Sequence, residues 1–163
     1  MKRFMIAVLS VCLILSGFSF GGEWIKEPVT FYYVRENYQK DMEQVLASEV
    51  REAAGHRDDL PYLLALYSMG PSNDGLLSML PKNTSIIPTE RTNYSITLTL
   101  SENTQNMVDA DFTLASACIA MTCMDLMEIQ QVTVISGDRS ITIREDNLML
   151  NNSIVKKPQE ETK

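Results

Sequence analysis

A chain of 163 residues, 45% apolar and 21% charged, is long enough for one domain with a real core and too short for two. Its 21 acidic residues outnumber 14 basic ones, a formal charge of −7. Lys and Arg form no cluster, which argues against a nucleic-acid or anionic-membrane surface and makes a basic partner the favoured charged one.

Lys2 and Arg3 precede an apolar run from Phe4 to Leu15, broken only by Ser10 and Cys12, and small residues follow at Ser16, Gly17, Ser19, Gly21 and Gly22. This order predicts an export signal over residues 1–22. An apolar helix of that length covers about 18 Å, short of the ~30 Å apolar core of a bilayer. Cleavage is therefore expected, with an uncleaved N-terminal anchor as the alternative. Leu15-Ser16-Gly17 has the form of a lipoprotein cleavage site, but the next residue is Phe18, not cysteine. Cys12 follows a bulky Val11, so a lipid on Cys12 is the less favoured reading. Without Lys2 and Arg3 the chain keeps 12 basic residues against 21 acidic ones, a formal −9.

Val29 to Val34 is β-branched and aromatic and reads as a strand, followed by a polar loop over Glu36 to Asp41. Met42 to Glu52 is ambiguous: Met42, Leu46 and Val50 recur every four residues, as in a helix, while Val45, Ala47 and Glu49 share one face of a strand. Residue types alone favour the helix. Asp58-Asp59 can cap the next helix, with Pro61 tolerated in its first turn. Leu60, Leu63, Leu64 and Tyr67 fall on one stripe of that helix, and Gly70-Pro71 ends it. Ser72 to Gly75 reads as a turn, and Leu76 to Leu80 as a short helical turn stopped by Pro81.

Thr84 to Thr89 and Tyr94 to Leu100 read as strands, the second with Ile96, Leu98 and Leu100 inward and Ser95, Thr97 and Thr99 outward. A long helix capped by Asp109 or Asp111 ends near Ile129. It is apolar all round, so burial on more than one side is expected, against the sheet and the first helix. Val132 to Ile135, the turn Ser136-Gly137-Asp138, and Ser140 to Arg144 make a final strand pair, and the polar stretch 151–163 reads as a disordered tail.

Candidate chemistry is sparse. His56, the one histidine, sits in a loop, and the serines and cysteines that could pair with it lie in unrelated elements. Cys118 and Cys123 are five apart on a helix, about 140° round its axis, which disfavours a disulfide and points to buried free thiols. With Met121 and Met124 they resemble a soft-metal cluster, but a helix spreads the four around its axis, so core packing is the expected role. Asp58-Asp59, Asp109 and Asp111 read as capping groups, and the sequons at Asn83 and Asn93 as coincidental. No catalytic, cofactor-binding or metal residue is therefore assigned. A small-ligand or glycan pocket would need converging aromatics, for which Trp24, Tyr32, Tyr33, Tyr62 and Tyr67 are the candidates.

In combination these elements resemble the GerMN domain family, the module of sporulation and spore-germination proteins. FYYV at 31–34 is similar to its first strand, and QVLASEVRE at 44–52 to its second, so the resemblance overrules the helical reading there. LLALYSMGPSNDGLLSMLP at 63–81 is similar to its helix, Gly-Pro break and Leu-Pro exit. YSITLTLSE at 94–102 is similar to its inner strand, with Thr97 where the family has Asp, and LMEIQQVTVISGD at 126–138 to its helix exit and hairpin.

The resemblance implies an α+β fold: a single two-layer domain over 29–148 with a mixed or antiparallel sheet, two helices packed on one face, and order ββαββαββ. It makes Gly70, Pro71, Leu80, Pro81 and Gly137 structural motif residues. It implies a non-enzymatic, exported interaction or scaffold module that supports an envelope protein complex in sporulation or germination, on the outer face of the cytoplasmic membrane or in the intermembrane or extracellular space. Partners would be other envelope proteins, with self-association through sheet edges. The alternative is an exported small-ligand or glycan-binding domain.

Overall fold

The β-branched and aromatic run at Val29 forms the centre of the first sheet. In the computed structural model, which describes residues 27–38 and 45–146, β1 spans Pro28–Arg35 and pairs antiparallel with β2, Leu46–Glu52, from Pro28↔Glu52 to Val34↔Leu46. The predicted export signal over 1–22, Cys12, Phe18, Trp24 and the tail 151–163 lie outside the described residues, as does part of the 36–41 loop. β2 is thus a strand, as the resemblance implied and against its helix-favouring composition. Seven consecutive pairings to β1 outweigh a weak local propensity.

Asp59 caps α1, Leu60–Ser68, its Oδ1 accepting the Tyr62 N–H at 3.1 Å, and Pro61 sits in the first turn where no amide donor is required. Leu60, Leu63, Leu64 and Tyr67 are its buried residues, the stripe read from the sequence. The segment after Gly70 departs from expectation. Instead of a helical turn over Leu76 to Leu80, the chain forms β3, Leu76–Leu77, against Val34 and Arg35. An isolated helical turn fixes several dihedrals for a single hydrogen bond. The turn at Asn73 instead delivers Leu76 to an open side of β1, where its side chain is buried.

The second sheet has the order β4-β5-β6-β7: β4 Ile86–Arg91, β5 Ser95–Leu100, β6 Gln131–Ser136 and β7 Arg139–Arg144. Among the described strands only β5 and β6 run parallel, and α2, Asp109–Met127, is in the connection between them. The fold is α+β with mixed pairing, and its strands divide into a three-stranded and a four-stranded sheet. Ile96, Leu98, Leu100, Val132 and Val134 are buried on one face of the larger sheet, confirming the alternation expected for β5.

α2 packs against β1 of one sheet and β6 and β7 of the other, while α1 packs on β4. Strands of both sheets, more than the first helix, are what bury α2. This position explains a 19-residue helix apolar enough to cross a bilayer. Thr122 of α2 accepts the Tyr32 N–H at 3.0 Å, so the helix satisfies a β1 donor that the two-residue β3 does not reach. Asp109 and Asp111 are not caps: Val108 is the N-cap residue, and the two carboxylates lie in the first turn, where the helix dipole favours them.

Candidate functional site

The Gly70-Pro71 break is held by two charged residues of β2. Glu49 and Arg51 stand two apart on a strand and therefore on one face. Arg51 Nε donates to Glu49 Oε1 at 2.7 Å, Nη1 donates to the Leu66 carbonyl at 3.1 Å, and Nη2 donates to the Gly70 carbonyl. The guanidinium lies over the rings of Phe31 and Tyr33, 5.4 and 6.0 Å from their centroids. Glu49 accepts the backbone N–H groups of Ser72 and Asn73 at 3.0 Å. The logic of the motif follows. Gly70 takes a left-handed φ of +88°, Pro71 has no donor to satisfy, and the next two donors meet the carboxylate. We call this arrangement the clasp.

The other motif residues have comparable surroundings. Leu80 is buried, and the Pro81 carbonyl accepts from Thr84 through both N–H and Oγ1, at 3.3 and 2.7 Å. Asn103 Nδ2 closes that loop on the Lys82 carbonyl at 3.1 Å. Gly137 turns the β6–β7 hairpin at φ +58°, and a Cβ there would come within 3.0 Å of the Gln105 side chain. Beside it Arg139 donates to the carbonyls of Thr104, Gln105 and Met107, pairs with Asp109 at 3.1 Å and covers the Phe112 ring. All five motif residues thus lie at backbone turns or in the core.

The residues weighed for chemistry do not converge. His56 stacks on Tyr62, with ring centroids 4.1 Å apart, and its Nδ1 lies 3.7 Å from Asp59 at a half-exposed surface. Cys118 and Cys123 are buried free thiols. Among the described residues no three His, Cys, Asp or Glu side chains gather as a metal site would require.

Of the aromatics proposed for a ligand pocket, Tyr32, Tyr33 and Tyr67 fill the core instead, while Tyr62 is exposed beside His56. Tyr33 stacks on Tyr67 at 4.8 Å with rings nearly parallel, and Phe31 meets Tyr67 edge-on at 5.8 Å. Tyr32 is buried as well, and Trp24 lies outside the described residues. The physical reason is strand alternation: Phe31 and Tyr33 share the face of β1 that meets α1, so they pack rather than line an opening.

Burial pushes the Tyr33, Tyr67 and Cys118 acids well above their ordinary range and Cys123 up to about 12. Both thiols therefore stay protonated and are neither nucleophiles nor thiolate ligands at neutral pH. A stability dependence follows. Below the ordinary thiol value of 9.0 both states bind the same protons at these sites. Above it the unfolded thiols ionise while the buried ones do not, so each costs about 1.4 kcal/mol per pH unit. The melting temperature should be insensitive to these groups up to about pH 9 and then fall. A Cys118→Ala/Cys123→Ala protein should fall less steeply over the next unit. Equal slopes for the two proteins would contradict the assignment.

Among the described residues, two shallow cavities stand out. One, of about 880 Å³, lies between α1 and the 78–86 segment, with Ala65, Met69, Leu80 and Pro81 among its walls. The other, of about 810 Å³, surrounds Tyr94 at one end of the four-stranded sheet. Neither contains a nucleophile–base pair. Sequence reasoning missed the Glu49–Arg51 clasp. The available signal was an acid and a base two apart on one face of a strand, but the groups they hold lie 15 to 24 residues further on.

No family model matches the chain, and no curated protein matches it. Among solved structures it is similar to the first GerMN domain of the sporulation protein GerM from Bacillus subtilis, at 13% identity and a TM-score of 0.49, over 71% of this chain and 86% of that one.

Proposed function

We propose that the chain is a non-catalytic, exported interaction module that supports an envelope protein complex, with sporulation or spore germination as the setting its motif resemblance suggests. The observation that carries the reading is the unprotected edge of β7. At the opposite edge, β4 is blunted by Pro88, by an irregular register between Pro88 and Glu90, and by charges at Glu90 and Arg91. β7 has the sequence RSITIR, with no proline and no lysine, and pairs with β6 alone among the described strands.

The register fixes which donors face outward. Ser136 and Arg139 flank the two-residue turn, and the Glu145 N–H reaches the Gln130 carbonyl at 2.9 Å. Arg139, Ile141, Ile143 and Glu145 therefore point their amides at β6, and Ser140, Thr142 and Arg144 point theirs away. A partner strand added to this edge would gain main-chain hydrogen bonds without any rearrangement of the core.

Thr142→Pro tests the idea, because it removes an outward donor and leaves the β6 ladder bonds in place. In the native host, a strain carrying Thr142→Pro at wild-type protein level should reproduce the sporulation or germination defect of a deletion, and a photo-crosslinker at Ser140 should lose its adducts to envelope proteins. A deletion with no such defect, or a Thr142→Pro strain that sporulates and germinates normally, would overturn the reading.

A further inference from the structure

The outer face of the four-stranded sheet is unlike the rest of this chain. In a protein with 21 acidic and 14 basic residues, the outward positions of its two central strands are Ser95, Thr97, Thr99, Gln131, Thr133 and Ile135, with no charge among them. Neighbouring strands extend the pattern in part, with charge only at the margins, where Glu90 of β4 stands opposite Thr97 and Arg144 of β7 opposite Gln131. Thr142 of β7 meets Thr133 hydroxyl to hydroxyl at 3.0 Å, and Thr89 of β4 meets Thr99 at 3.4 Å. Both helices pack against the interior and leave this face to solvent.

At one end the face runs into the Tyr94 cavity, where Ser95, Gln131 and Arg144 belong to both. Tyr94 is 69% exposed. Its backbone is nonetheless pinned: the carbonyl accepts the N–H groups of Gln130 and Gln131 at 3.0 and 3.1 Å, and its own N–H donates to Thr92 Oγ1 at 3.2 Å. Arg144 Nε donates to Gln131 Oε1 at 3.1 Å, which fixes the amide beside the ring, and Glu145 and Asp146 complete the rim. An aromatic ring is thus held out into water on a rigid turn, beside oriented amide and hydroxyl groups.

We infer that the Tyr94 cavity and the hydroxyl face together bind a neutral glycan chain. A sugar ring offers an apolar C–H face to stack on an exposed aromatic and hydroxyls that exchange partners with Thr, Ser and Gln. It brings no charge whose desolvation must be offset. An anionic polymer would meet the net negative charge of the chain and the two rim carboxylates. The face measures roughly 14 Å across four strands and 13 Å along them. That suits a short oligosaccharide and falls well below the roughly 800 Å² per partner of a stable protein interface, so a second copy of the chain is the poorer occupant. Thr142 and Arg144 belong to both sites, but the face uses their side chains and strand addition uses their main-chain amides, so either reading can fail without the other.

The test is an amide-shift titration of the isotope-labelled full chain with β-1,4-linked hexamers of N-acetylglucosamine and of glucose. Saturable shifts are expected at Tyr94, Thr97, Gln131 and Thr133, with affinity near the millimolar range. Tyr94→Ala should weaken binding at least about tenfold with the spectrum otherwise retained. Tyr94→Trp should bind, and Thr133→Lys, which puts a charge in the middle of the face, should not. The absence of saturable shifts with either hexamer at about 10 mM would overturn the inference. So would shifts centred on the α1 cavity, or shifts of this face that follow protein concentration without sugar and reveal a second copy.

Discussion

Arg51→Ala is expected to destabilise the domain by about 3–5 kcal/mol, the range for removing one partner of a mostly buried ion pair. Four losses coincide. Glu49 keeps the Ser72 and Asn73 amides but loses its counter-charge, and the Leu66 and Gly70 carbonyls lose a donor. The face of Phe31 and Tyr33 loses its cover. Arg51→Lys should recover little, because an ammonium cannot hold a carboxylate and two carbonyls in one plane. The double variant Glu49→Ala/Arg51→Ala should cost clearly less than the sum of the single ones, since the two side chains form one network. Urea unfolding of the four proteins measures this directly. A loss under about 1 kcal/mol for Arg51→Ala would mean that the pair behaves as a surface salt bridge and does not hold the break.

Tyr33→Ala should cost a similar amount, about 3–5 kcal/mol, through the cavity left between β1 and α1. Tyr33 is fully buried, stacked on Tyr67 and roofed by Arg51. Tyr33→Phe separates ring from hydroxyl. The Tyr33 Oη donates to the Tyr67 carbonyl at 3.0 Å, but that carbonyl also accepts the N–H groups of Met69 and Gly70. Losing the phenol leaves the acceptor partnered, so Tyr33→Phe should cost no more than about 1 kcal/mol. If Tyr33→Phe proved as damaging as Tyr33→Ala, the hydrogen bond and not the stacking would be what joins helix to sheet.

These two residues also mark what the sequence made legible. Tyr33 lies in a β-branched and aromatic run, and its strand and burial follow from residue type and period. The stripe of α1, the alternation of β5 and the buried thiols of α2 were legible for the same reason: each depends on a period within one element. Arg51 was not, because its role depends on a turn at Gly70, 19 residues away in sequence, that comes next to β2 only in the fold. β3 was missed for a related reason. Leu76 and Leu77 look like any apolar pair before a proline, and they are a strand only because β1 has an open side there. Tyr94 stood at the edge of a predicted strand without a role, since nothing local says that its ring stays in water while its backbone is pinned by β6.

The parallel pairing of β5 with β6 bears on the order in which the domain can assemble. The β4–β5 and β6–β7 pairs are hairpins that close over short loops, so each can form from its own neighbourhood. Their union requires the whole stretch from Ser101 to Gln130 to cross between them, and α2, which lies in that stretch, must also find β1. Loop-closure entropy is spent before those contacts offset it, which makes this the step of highest sequence separation in the larger sheet. Until it is complete, the inner edges of both hairpins stand open. The barrier to folding and the hazard of strand exchange between copies thus share one origin, the single parallel seam at the middle of the sheet.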